Sequence, residues 1–246
     1  MVFPVERSPF FGGVALCLTL SFSLGHAESG DLPTWTHYGR AGGAQLHAWG
    51  GLGYYRIKRI HGNTFYDLRI LGIFIPGETL GIVRYKSSRK FDPLPRFYRF
   101  NVVSLRHSST SELTVRYHYN QGVGAFVFNV PVTHMTTEVG LSYDMSDYLN
   151  STRKTSYLKG GVFWDIDWGE TRLAIDLEYF QQISDRIPGT GDLTRHELSA
   201  EINVPVVRTI RVTVGYEEEF YRSRDLRNVR SVYLALGFKR LLPFTL

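Results

Sequence analysis

The residues of this chain that could do chemistry recur two apart. Arg116 and His118, then Lys159, Asp165 and Asp167, then Arg172, Asp176 and Glu178, then Arg195, Glu197 and Glu201, and finally Arg211, Glu217 and Glu219 each share one parity within their segment. A spacing of two places such a set on one face of an extended strand. The chemistry this offers is that of a charged wall: opposite charges pairing across neighbouring strands, or rings of mixed sign around a narrow pore. Catalysis has much less to work with. A nucleophile, a base and an orienting group would have to converge, and the one suggestive neighbourhood is His107-Ser108-Ser109. There is no Gly-x-Ser-x-Gly elbow, no phosphate loop and no His-Glu-x-x-His, the motifs that would mark hydrolase, nucleotide or zinc chemistry. The acidic run Glu217-Glu218-Glu219 is no cation site, because successive strand side chains point to opposite faces and Glu218 cannot join its neighbours. The expectation is therefore no enzyme, no cofactor and no metal, with the charged residues lining a lumen.

The elements that would position these residues are strands. From His134 to Met145 one face reads Met135, Thr137, Val139, Leu141, Tyr143, Met145 and the other His134, Thr136, Glu138, Gly140, Ser142, Asp144. The same alternation runs through Tyr157–Trp168, Arg172–Tyr179, Arg195–Val204, Ile210–Glu219, Ser231–Lys239 and Leu113–Val127. Period two over such lengths predicts strands with one apolar face. Earlier candidates with less regular alternation are Leu46–Ile60, Thr64–Phe74, Glu78–Ser87 and Arg96–Leu105. Short connections such as Gly169-Glu170 alternate with longer ones such as Ser184–Asp192, the habit of outer-membrane barrels with tight periplasmic turns and longer outer loops. These eleven segments predict an all-β, antiparallel transmembrane barrel of about 10–12 strands, since bacterial barrels keep an even number. Tyr54, Tyr55, Trp168, Tyr179 and Tyr221 fall near expected strand ends and suit aromatic girdles, although aromatics are also simply good strand formers.

The beginning of the chain fits export. Val14 to Leu24 is apolar and is followed by Gly25-His26-Ala27, which predicts a signal peptide over residues 1–27; the run is shorter than the roughly 20 residues of a spanning helix. The single Cys17 lies within it, so the exported chain would hold no disulfide. The remainder divides into an expected N-terminal extension at 28–43, a barrel at 44–240 and a C-terminal tail at 241–246. The net charge of +5 comes from basic and acidic residues mixed throughout, with no basic cluster, which excludes nucleic acid as a partner. The expected partners are outer-membrane lipid and, during biogenesis, the barrel assembly machinery. Alternation alone is equally compatible with a soluble periplasmic sandwich, or a lipocalin-like barrel binding a small apolar ligand, where the apolar face points inward. An outer-membrane enzyme acting on lipid or peptide is the other alternative.

Several stretches resemble one known family. Arg116–Phe128 (RYHYNQGVGAFVF), Glu138–Asp144 (EVGLSYD), Leu198–Val206 (LSAEINVPV), Val214–Ser223 (VGYEEEFYRS) and Tyr233–Phe238 (YLALGF), with a Gly62-Asn63-Thr64 turn, are similar to the YdiY-like salt-induced outer membrane proteins, the domain of unknown function 481. The resemblance implies a porin-like barrel in the bacterial outer membrane, with an envelope structural or narrow-pore role and expression that responds to salt stress. It brings no catalytic residues. Proteins of this kind end on an aromatic residue read by the assembly machinery, whereas here Lys239 to Leu246 follow Phe238.

Overall fold

A computed structural model describes residues 34–109, 113–148, 151–185, 192–207, 209–223 and 228–242. The segment expected to be a signal peptide lies outside the described residues. Twelve strands follow one another: β1 (Thr34–Gln45), β2 (Trp49–His61), β3 (Thr64–Ile75), β4 (Glu78–Phe91), β5 (Leu94–Ser108), β6 (Leu113–Val130), β7 (Thr133–Tyr148), β8 (Ser151–Trp168), β9 (Thr171–Gln182), β10 (Arg195–Val207), β11 (Ile210–Tyr221) and β12 (Val229–Leu242). Each pairs antiparallel with its sequence neighbours, and β1 pairs with β12 from Trp35↔Leu242 to Gln45↔Val232, closing the barrel. Closure leaves no unpaired sheet edge.

Both limits expected for the barrel are corrected. Residues 28–43 do not all precede it, because β1 begins at Thr34 and bonds to both β2 and β12. Its centre is Gly39-Arg40-Ala41-Gly42-Gly43-Ala44, too poor in large side chains to show an alternation. Small residues are what the seam requires: a Cβ on Gly42 would meet Leu234 O at 2.1 Å and Ala235 Cα at 2.6 Å. At the other limit β12 runs on to Leu242, into the segment expected to be a tail.

One end of the barrel carries only two-residue connections between strands, Gly62-Asn63, Asp92-Pro93, Pro131-Val132, Gly169-Glu170 and residues 208–209. Gly62 (φ 51°) and Gly169 (φ 63°) supply the left-handed backbone that tight hairpins demand. The longest connections, residues 183–194 and 222–228, lie at the opposite end.

The closed sheet decides which face is which. Large apolar side chains point outward, among them Leu141 (51% exposed), Leu158 (48%) and Leu236 (59%), whereas Lys159, beside Leu158, is 1% exposed. Outward aromatics lie toward both ends: Trp49, Phe74 and Phe220 at the end with longer connections, Phe97, Phe128, Trp164 and Trp168 at the other. An apolar belt with aromatic borders is the surface of a membrane barrel, and it inverts the soluble alternative, whose apolar face would be inside. Two of the aromatics expected in the girdles belong to the lumen instead. Tyr54 packs inward with Leu52, Leu71 and Tyr233, and Tyr221 donates to the inward carboxylate of Glu219.

Candidate functional site

The site is the lumen, and contacts between strands that are not neighbours define it, since only the interior can join them. Arg40 on β1 pairs with Glu201 on β10. Lys86 on β4 donates to Glu138 Oε1 on β7 at 2.6 Å, Lys159 on β8 donates to Glu138 Oε2 at 3.2 Å, and Tyr98 on β5 donates to Oε1 at 3.0 Å. Lys159 also pairs with Glu178 on β9. The two ammonium groups lie over the same rings, Lys86 at 5.2 Å from the Phe100 centroid and 5.5 Å from Phe163, Lys159 at 5.2 and 5.4 Å. No more than 1% of the Lys86, Glu138 or Lys159 side chain is exposed. This chain of charges, spanning β4 to β9, fills its level of the barrel with salt bridges, hydrogen bonds and cation–π contacts that offset the desolvation of each ion.

Two further clusters line the lumen. Arg56 Nε donates to Asp67 Oδ1 at 2.7 Å and Arg69 Nε to Asp67 Oδ2 at 2.8 Å. Arg195 Nε donates to Glu197 Oε1 at 2.6 Å, while its guanidinium lies 4.4 Å from the Phe180 centroid and 4.9 Å from that of Tyr157. Arg195 also approaches Asp144 (3.7 Å) and Glu219 (3.6 Å), and His118 hydrogen-bonds Asp144. Toward the short-turn end Arg172 pairs with Asp165 at 2.8 Å and approaches Asp167 at 3.9 Å. There Arg211 donates to the Glu170 and Asn203 carbonyl oxygens, tying turn to strand at the rim rather than lining the middle.

Among the other residues read from sequence as lumen-lining, Asp176, Glu178, Glu197, Glu201, Glu217 and Glu219 are buried inward, and Arg116 and His118 are half-buried beside a cavity. Sequence reasoning did not nominate Arg40, Arg56, Lys58, Asp67, Arg69, Lys86, Arg106 or Glu138. Glu138 is read from sequence only as part of the polar face of its strand; the others lie on the first five strands, which gave the weaker signal because a sector of the lumen is itself apolar: Ala44, Leu52, Tyr54, Leu71, Ile73, Leu80, Ile82, Tyr233 and Ala235 pack together inside. There both faces of a strand are apolar, as in Ile70 outward with Leu71 inward and Ile82 inward with Val83 outward. Alternation is erased where the lumen is dry.

Two residues of the His107-Ser108-Ser109 neighbourhood have described surroundings. His107 is exposed on the outer face of β5, beside inward Arg106. Ser109 Oγ accepts from Thr79 N at 2.8 Å and lies 3.4 Å from Thr79 O, a strand-end tie between β4 and the turn after β5. Among the described residues no cluster of His, Cys, Asp and Glu side chains is arranged to hold a metal ion.

A cavity of about 60 Å³ is lined by Arg84, Arg106, Arg116, His118, Asn120 and Glu197, among others, enough for a few waters or one small polar group.

No protein-family model and no curated protein sequence matches the chain. Solved structures do. The NanC porin superposes with a TM-score of 0.57 at 9% identity, covering 82% of this chain and 98% of its own. An outer-membrane channel from Pseudomonas putida F1 gives 0.51 at 10% identity, covering 85% and 95%. At such identities the likeness is one of architecture: the chain is a closed, twelve-stranded antiparallel β-barrel with the fold of these outer-membrane proteins.

Proposed function

We propose that this protein resides in the bacterial outer membrane as a barrel held shut by its own charges, serving a structural role in the envelope without catalysing a reaction. The observation that carries the reading is the buried chain Lys86–Glu138–Lys159–Glu178 over Phe100 and Phe163. A hydrated pore would surround such ions with water, whereas these are enclosed by protein. The lack of a catalytic role is supported by the tie of Ser109 to Thr79 and by the outward His107. Kinship with the YdiY-like proteins is part of the proposal and rests on the quoted motifs alone.

A narrow pore is the second reading, favoured by the cavity beside Arg106 and Arg116. Fractionation followed by planar-bilayer recording separates the two. The closed barrel co-purifies with outer membranes and gives no steady conductance, while Lys86→Ala with Lys159→Ala removes the filling side chains and gives measurable current. Steady, ion-selective channels from the unsubstituted protein would establish the pore instead. Recovery in the soluble periplasm would overturn the membrane placement.

A further inference from the structure

The inner wall formed by β4, β5 and β6 holds a guanidinium that finds no hydrogen-bonding partner among the described residues. Arg106 is 6% exposed, and among the described residues none of its three guanidinium nitrogens has a hydrogen-bond partner. It stands directly opposite Arg116 in the β5–β6 register, a like-charge pairing that destabilises a sheet unless something lies between. Asn120, further along β6, is 1% exposed, and neither end of its amide has a hydrogen-bond partner among the described residues. Both side chains line the cavity of about 60 Å³. Of the carboxylates around it, Asp144 is held by His118 and Arg195, Glu197 by Arg195 and Glu178 by Lys159, while Glu219, Glu197 and Glu217 attract Arg106 through space without hydrogen-bonding it.

A buried guanidinium without an acceptor is costly, and the group that satisfies it best is a planar or tetrahedral oxyanion, which accepts two of its N–H bonds at once. An anion between Arg106 and Arg116 would also turn their repulsion into attraction, and the Asn120 amide would add a donor. The cavity has room for one such group. It lies toward the end with the longer connections, since Arg106 is close to the end of β5 and Arg116 close to the start of β6.

We propose that the lumen binds a small oxyanion, namely a carboxylate, sulfate or phosphate group, through Arg106 and Asn120, admitted from the end with the longer connections. This goes beyond the closed-barrel reading and requires neither conduction nor its absence. The test is calorimetric titration of the detergent-purified full chain with sodium sulfate, acetate and glucuronate at constant ionic strength, with chloride as reference. Saturable binding of sulfate or acetate alone identifies a free anion as the ligand; binding of glucuronate as well identifies the acidic group of a larger solute. In either case Arg106→Met weakens binding by at least about tenfold, the loss of a charge-assisted pair of hydrogen bonds. Arg106→Lys keeps the charge, loses the fork and also weakens binding, so the proposal stays testable if the methionine variant does not fold. No binding above chloride, or binding undiminished in the Arg106 variants, would overturn it, leaving Arg106 to be served by water or by a shift of Glu219 within the barrel.

Discussion

Replacing Glu138 with glutamine tests whether the lumen is sealed. The substitution keeps the shape of the side chain and one acceptor oxygen, but it removes the charge that Lys86 approaches at 2.6 Å and Lys159 at 3.2 Å. Removing one member of a buried ion pair costs about 3–5 kcal/mol, because the remaining ions stay desolvated. Lys159 keeps Glu178, which places the expected loss toward the lower end, about 3 kcal/mol. If the lumen were an aqueous channel, the same pair would behave as a solvated one, contributing about 0.2–1 kcal/mol. The assay is urea unfolding in lipid micelles, followed by tryptophan emission, for Glu138→Gln, Lys86→Met and the double variant. A sealed lumen gives a large single-variant loss and a coupling of at least about 1 kcal/mol, the double variant recovering part of the stability. A loss below about 1 kcal/mol with no coupling would refute the argument, since it would mean that water reaches Glu138.

Three other outcomes follow from the same geometry. Leu141→Arg, on the outward face midway along β7, lowers stability in bilayers by about 2–4 kcal/mol; unfolding in lipid vesicles checks it, and a neutral result would argue that this face meets water. Gly215→Ala forces the inward Tyr233 ring from its place, because a Cβ there would lie 2.0 Å from the ring; the expected cost is about 1–3 kcal/mol, and Gly215→Ala combined with Tyr233→Ala should lose little beyond Tyr233→Ala alone. Arg40→Met removes the charge that meets the Glu201 carboxylate across the lumen from β1 and lowers the temperature at which the folded band is lost in gel mobility, whereas Arg230→Ala, on the exposed face of β12, leaves it unchanged.

Much of the architecture was legible because a membrane barrel writes its two solvents into the sequence at period two. His134–Met145 shows this well: Val139 and Leu141 meet lipid while Glu138, Ser142 and Asp144 point inward. The strands of the second half, and the tight turn at Gly169-Glu170, needed no tertiary information, since alternation and turn chemistry are local. The first strand was not legible. Apart from Arg40, the residues from Gly39 to Ala44 have side chains too small to mark a face, and Gly39 and Gly42 are small because β12, nearly two hundred residues away in sequence, approaches them closely.

By itself, then, the sequence determined the class of fold, most strand positions and the identity of many lumen residues, because each depends on neighbours two positions apart. It could not decide which face was inside, since an alternating strand reads the same for a lipocalin-like interior and for a membrane wall; closure into twelve strands with leucines outward and lysines inward decided that. The pairing was equally out of reach. Glu138 meets Lys86 and Lys159 from 52 and 21 residues away, and whether a carboxylate comes within hydrogen-bond reach of Arg106 is decided only by how the folded barrel places its side chains. Those are properties of a three-dimensional wall, set by strand register and by contacts across the lumen, which no period in the sequence records.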